Sequence, residues 1–209
     1  IRTLSDKKFR EDYSRQERLW EIRNLNRQAN RLAAEARRNT IGPYGHKLRK
    51  MMDDKNEIFK SYASSEYSYL KERIVERTLN LVIVYIKLLN NYCIRYRELS
   101  KIDVGTVTAR INDNSRKLNF ARDEKIQSDL QKVIEMDQKL INRMKEEKKE
   151  LERISTKLDY MESTVNMFKH QILASVENED MLEQIETAVN EAEALENVLE
   201  ERKREKLRS

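Results

Sequence analysis

The chain has 209 residues, of which 38% are charged, with a net charge of +5 and only three Gly and one Pro. Few residues can therefore stop a helix, and the regular spacing of aliphatic residues argues against disorder. The lone Cys93 excludes an internal disulfide, and we interpret it as a small buried hydrophobe. We expect an all-α fold, an elongated antiparallel helical bundle with a long coiled-coil-like hairpin.

The first predicted helix covers residues 6–39, and the only Pro and two of the three Gly follow it in residues 39–45, which predicts a tight turn. Its apolar stripe alternates spacings of three and four: Ile22, Leu25, Ala29, Leu32 and Ala36. Its basic residues can contact an anionic membrane surface or nucleic acid: Lys7, Lys8, Arg10, Arg23, Arg27 and Arg31. We favour the simpler interpretation that they face water and an acidic helix.

The second predicted helix covers residues 46–100, with a bend where four serines cluster in residues 61–68. Its apolar run over residues 81–86 is too short for a membrane span, which needs about 20 residues. Apolar side chains surround this helix almost completely, whereas one facing helix covers only one side. The surplus predicts a homodimer or another helical partner at Leu81, Val82, Tyr85, Ile86, Leu88, Leu89, Tyr92 and Tyr96. The alternatives are an elongated chain that folds over itself and a helical core that the tyrosines complete, with their hydroxyls at its rim.

The third predicted helix covers residues 107–176 and carries the longest regular pattern. From Ile126 to Ile172, twelve of fourteen positions at three/four spacing are apolar, as a coiled-coil seam requires. The exceptions are Asp137 and Glu147, which we expect to pair with Lys or Arg of a facing helix; the alternative is an acidic site for a metal or proton. A polar cluster at residues 112–115 predicts a kink or restart.

The fourth predicted helix covers residues 179–206, and its first part is rich in acidic residues. Residues 177–201 hold ten Asp/Glu and no Lys/Arg, whereas residues 1–50 hold fourteen Lys/Arg and six Asp/Glu. Opposite charge favours the first and fourth helices as antiparallel neighbours. We therefore predict one domain over residues 1–209, with a four-helix section at one end and a two-helix hairpin of about residues 80–125 at the other.

The sequence lacks the patterns of common catalytic sites. The two histidines, His46 and His170, do not follow a Glu at the spacing of a di-iron carboxylate bundle, and one Cys with two His is a poor zinc set. There is no Gly-rich phosphate loop and no Ser nucleophile elbow. We predict a protein that is not an enzyme and has no cofactor, metal or small-molecule substrate.

In general organisation the chain is similar to BAR-type membrane-shaping dimers, with long helices, about 200 residues and a mild positive charge. Its basic amino-terminal half and acidic carboxy-terminal helix resemble the ESCRT-III and phage-shock group. These resemblances concern architecture, and no functional residue carries over from them.

The predicted function is that of a helical scaffold or protein–protein interaction domain. The alternatives are a peripheral membrane-binding or membrane-remodelling module using the basic first helix and, third, a nucleic-acid-binding protein. Because the chain begins with Ile1 and not Met, we expect a fragment of a larger protein. The expected location is the cytoplasm or the cytosolic face of a membrane.

Overall fold

A computed structural model describes residues 7–40, 42–65, 68–176 and 178–208, with side chains from residue 15 to residue 201 outside the same gaps. Within these residues all regular structure is α-helical, and the fold is an all-α helical bundle, as predicted. The six helices are α1 Lys7–Ala36, α2 Pro43–Ser64, α3 Tyr69–Ser100, α4 Val104–Phe120, α5 Glu124–Leu173 and α6 Glu179–Arg208.

Polar caps and one glycine set the points at which the helices begin. Gly42 precedes α2 with φ 55°, a left-handed conformation that glycine adopts without strain, and Pro43 follows it at the first helical position. The carboxylates of Asp103 and Asp123 accept backbone N–H groups at the starts of α4 and α5, and the side-chain oxygen of Asn178 does so at α6. Each cap satisfies a donor that has no partner within its helix.

Two of the predicted helices are each divided. The helix predicted over 46–100 ends at Ser64 and restarts at Tyr69, so the serine-rich segment is a break and not a bend. The helix predicted over 107–176 breaks at residues 121–123, where Asp123 caps a new start. The polar cluster at 112–115 lies inside α4, so the helix does not restart there.

The described chain divides into two compact units. The bundle unit comprises the residues up to Cys93 together with those from Thr156 onward, and the paired unit comprises Ile94–Ser155. Helices α3 and α5 contribute residues to both units.

In the bundle unit, α3 is the helix that contacts all the others. Its polar contacts reach α1 at Arg18–Glu72, the turn after α1 at Asn39–Asn90, and α2 at Tyr44–Tyr92 and Tyr62–Glu72. Further contacts reach α5 at Tyr85–Glu162 and α6 at Arg77–Glu186 and Lys87–Glu196. Residues of α3 in this unit therefore have helices on every side.

The order of these contacts along the chain gives the helix directions. Between α1 and α3, the residue numbers of the contacting partners increase together from one contact to the next, and the same holds between α3 and α6. Helices α1, α3 and α6 therefore run in the same direction. The predicted antiparallel pairing of the first and last helices was therefore wrong. The acidic side chains of α6 pair instead with basic groups of α3 and α5, including Lys157 with Glu191. The predicted four-helix section is a five-helix unit.

In the paired unit, α4 and the last residues of α3 lie against the first part of α5. Arg95 pairs with Glu147 and Glu150, and Arg110 pairs with Asp137. As residue numbers rise on one side they fall on the other, so the two sides are antiparallel. Residues 81–93, predicted to begin a projecting hairpin, belong to the bundle unit instead.

Candidate functional site

The predicted partner interface on α3 is almost entirely buried inside the chain. Seven of its eight residues are covered by the bundle unit: Leu81, Val82, Tyr85, Ile86, Leu88, Leu89 and Tyr92. Tyr96 lies in the paired unit and is 46% exposed. The premise that intramolecular cover ends near residue 80 was wrong, and these side chains form a core.

The all-round apolar character of α3 follows from its position among four helices. A helix that is apolar on every face must be covered on every face. Because α2 ends at Ser64 and α3 begins at Tyr69, α2 folds back along α3, which a single helix over 46–100 could not do. Cys93 is also buried, as predicted.

Two tyrosines of α3 place their hydroxyls at polar contacts on the edge of this core. Tyr85 donates to the Glu162 carboxylate at 2.7 Å, and the hydroxyls of Tyr44 and Tyr92 lie 2.6 Å apart. Burial, with the neighbouring Glu162 carboxylate, raises the pKa of Tyr85 far above its ordinary value, so the phenol stays protonated. These hydroxyls therefore hold α3 against its neighbouring helices.

Four charged residues are buried in the bundle unit: Asp54, Lys55, Lys71 and Glu72. Lys55 is fully buried and donates to the side-chain oxygens of Asn26 and Asn30 at 2.7 and 2.6 Å, and burial lowers its pKa. Buried Asp54 accepts from Lys169 at 2.6 Å. Both arrangements are local compensation of a buried charge by neighbouring polar groups.

Buried Glu72 lies beside a cavity of about 150 Å³ between α1, α2 and α3. Its carboxylate accepts from Arg18 at 3.0 Å and from the Tyr62 hydroxyl at 3.2 Å. Burial and the Glu72 charge raise the pKa of Tyr62. The Glu72 carboxylate is therefore already hydrogen-bonded, and the cavity beside it has room for only a few water molecules.

The acidic interruptions of the seam are paired, as the structural interpretation predicted. Arg110 donates to both carboxylate oxygens of Asp137, and this hydrogen bond lowers the pKa of Asp137. Arg95 donates to Glu147 and Glu150 at 2.6 Å each. Burial alone would lower the pKa of Arg95, but these carboxylates outweigh it and raise the pKa. No group of His, Cys, Asp and Glu suited to a metal ion occurs among the described residues.

The predicted anionic-surface residues divide into two sets. The side chains of Lys7, Lys8 and Arg10 lie outside the described residues. Arg23, Arg27 and Arg31 are exposed on α1 and, with Trp20, follow one another at spacings of three and four, and Arg23 also lines the edge of the cavity beside Glu72. We call these four residues the α1 strip. Sequence reasoning did not single out Trp20, although the helical spacing from Arg23, Arg27 and Arg31 places it on their face.

A second exposed feature is an apolar surface in the paired unit. The sequence predicted the apolar interface on α3 instead. Only four of its apolar side chains are buried: Val107, Met144, Leu151 and Ile154. Phe120 is 85% exposed and Met136 is 70% exposed, and the seam residues Ile126 and Val133 are also exposed. We call Phe120, Ile126, Val133 and Met136 the exposed seam set.

Comparison with protein-family models, with curated proteins and with solved structures found no match for this chain. In the part of the chain that the structure describes, no helix has the length and apolar character needed to cross a membrane.

Proposed function

We propose that this chain is a non-enzymatic helical interaction domain that associates with a second copy of itself through the paired unit. The observation that carries the proposal is the exposed seam set, which leaves apolar side chains uncovered on an otherwise coiled-coil-like helix. The bundle unit, with its buried α3, supplies a stable folded body.

The seam of α5 continues beyond the apolar cover that the paired unit supplies. Met144 and Leu151 are buried and Leu130 and Leu140 are half-buried, whereas Ile126 and Val133 occupy equivalent three/four positions nearer the start of α5 and are exposed. An uncovered stretch of such a seam is the pattern that another helix recognises by packing its side chains between those already present. Met136 adjoins this stretch and widens it.

The charges of the paired unit also favour a helical partner. Asp129 and Lys132 are exposed beside the exposed seam set, and Arg143 is exposed two turns further along α5. In an antiparallel pairing of two copies of α5 centred on Met136, Asp129 of one copy faces Arg143 of the other, since each lies seven residues from Met136. Such flanking pairs select register and partner, while apolar burial supplies the affinity.

The test compares Met136→Lys with Met167→Lys by sedimentation equilibrium over a range of protein concentrations. Both methionines lie on α5, but Met136 belongs to the exposed seam set and Met167 lies in the bundle unit with 39% exposure. We expect the native chain and Met167→Lys to associate to the same extent, and Met136→Lys to stay monomeric. Thermal unfolding of each variant verifies that it is folded.

A charge-reversal pair tests the antiparallel register. Asp129→Arg or Arg143→Asp alone should weaken association, because each places like charges opposite one another, and the double variant should restore it. A native chain that stays monomeric at every concentration would contradict the proposal.

A further inference from the structure

The outer face of α1 combines an exposed indole with three exposed guanidinium groups. Trp20 is 60% exposed, and Arg23, Arg27 and Arg31 lie on the same face within three turns. An open hollow on this surface is lined by Asn24, Arg27, Gln28 and Arg31. At the end of the α1 strip, Glu35 lies 3.8 Å from Arg31.

The opposite face of α1 is packed against the bundle. Its buried residues are mostly small and allow close approach to the neighbouring helices: Ile22, Ala29, Ala33 and Ala36. Arg18 and Asn39 anchor α1 to α3 through hydrogen bonds to Glu72 and Asn90. The α1 strip is therefore presented by a helix that is already folded and held, so a partner can bind it without unfolding the bundle.

We propose that the α1 strip docks the bundle unit onto an anionic lipid surface. Trp20 lies at the boundary between headgroups and acyl chains, where an indole places its apolar ring and its N–H in suitable surroundings. Arg23, Arg27 and Arg31 contact lipid phosphates, and the hollow between Arg27 and Arg31 receives a headgroup. Helix α1 lies along the surface and does not cross it.

The composition of the strip favours a lipid surface over nucleic acid. An exposed indole beside arginines offers an apolar ring for the boundary between headgroups and acyl chains and cations for lipid phosphates. Among residues 1–50, basic side chains outnumber acidic ones by fourteen to six, which attracts a negatively charged surface at a distance. This binding is independent of the self-association proposed for the paired unit, since the two surfaces share no residue.

Intrinsic fluorescence tests the docking directly, because Trp20 is the only tryptophan in the chain. The whole chain is titrated with vesicles of phosphatidylcholine alone, or of phosphatidylcholine mixed with phosphatidylglycerol. We expect a blue shift of the Trp20 emission with the anionic vesicles only, and a weaker response at high salt, where surface charge is screened.

Two matched double variants test the arginines. Arg27→Gln/Arg31→Gln removes two charges from the α1 strip, and Arg49→Gln/Lys50→Gln removes two exposed charges from α2. One basic side chain near an anionic surface contributes about a fivefold increase in binding, so the first variant should bind about 25-fold more weakly. The second should keep most of the native affinity, and circular dichroism shows whether both remain folded.

Three results would overturn the proposal. The first is a Trp20 emission unchanged by anionic vesicles at low salt. The second is an equal loss of binding in the two double variants. The third is binding of the native chain to a DNA duplex, lost in Arg27→Gln/Arg31→Gln, without vesicle binding, which would assign the strip to nucleic acid.

Discussion

The hydroxyl of Tyr85 in α3 donates a hydrogen bond to the carboxylate of Glu162 in α5, across 2.7 Å. The ring of Tyr85 is fully buried, whereas Glu162 is near the surface and also pairs with Lys47 at 3.3 Å. The contact therefore joins the centre of the bundle unit to its polar edge, and it fixes α3 against α5.

Tyr85→Phe should destabilise the protein by about 1–2 kcal/mol, since a hydrogen bond to a charged acceptor is lost while the packing of the ring is kept. Urea denaturation measures the change in the free energy of unfolding. The matched control is Tyr160→Phe, whose ring is 45% exposed on the same α5 and stacks with Lys157. A loss of stability as large in the control would count against the role of the Tyr85 hydroxyl.

Leu88→Ala should lower the free energy of unfolding by about 2–5 kcal/mol, because Leu88 is buried in the bundle unit and its removal leaves a cavity. The same variant should leave self-association unchanged, as seen by sedimentation. Leu173→Ala, at an exposed site of α5, should cost less than about 1 kcal/mol. A Leu88→Ala chain that is stable but dissociated would restore the interface first predicted for this helix.

Lys55→Met should raise the free energy of unfolding at neutral pH by about 1 kcal/mol, because it removes a buried charge whose hydrogen-bond partners are neutral amides. Asn26 and Asn30 remain within reach of water after the change. Lys60→Met, at an exposed position of the same α2, is the control and should have little effect.

The pH dependence of this variant has a definite sign. Burial lowers the pKa of Lys55 below the value of about 10.4 expected in the unfolded chain. Between the two values the folded chain binds fewer protons than the unfolded chain, so native stability gains from rising pH. The advantage of Lys55→Met should therefore shrink as pH rises toward about 10.4. An advantage that is independent of pH would show that the pKa of Lys55 is the same in the folded and the unfolded chain, and would contradict this prediction.

Asp137→Asn should lower the melting temperature of the paired unit at neutral pH, because Arg110 loses its charged partner. The pKa of Asp137 is lowered in the folded state, so the contribution of the pair is complete above about pH 3.9 and is lost as pH falls through the lowered value. The difference between the native chain and Asp137→Asn should vanish in acid. Asp113→Asn is the control, since Asp113 is exposed and its ion pair with Lys117 lies within α4.

Much of the fold could be predicted from the spacing of the apolar residues and from the positions of Gly and Pro. The scarcity of Gly and Pro predicted helices, the turn at Gly42 and Pro43 was placed correctly, and the three/four pattern located the buried face of α5 from Met144 onward. These features depend on local backbone preferences and on periodicity, which the sequence states directly.

The assembly of the helices could not be predicted in the same way. Four serines near residues 61–68 are compatible with a bend or with a complete reversal, and only a reversal brings α2 onto α3. That one choice changes the apolar residues of α3 from a surplus needing a partner into a covered core. Asp123 caps the start of α5 and so divides it from α4. In the sequence, however, the polar cluster at 112–115 was the stronger indication of a break.

The candidate surfaces were found only in part for a related reason. Arg23, Arg27 and Arg31 were recognised by charge, whereas Trp20 required knowing which face of α1 is packed. The exposed seam set was hidden by the regularity of the α5 pattern, because a heptad seam does not show how much of it the chain covers.

Hydrogen exchange followed by mass spectrometry, at low and high protein concentration, tests the central claim that α3 is core and that association occurs through the paired unit. Amides of residues 81–89 should exchange most slowly and equally at both concentrations, and those of residues 126–136 should become more protected at high concentration. Protection of residues 81–89 that rises with concentration, with residues 126–136 unchanged, would contradict the account.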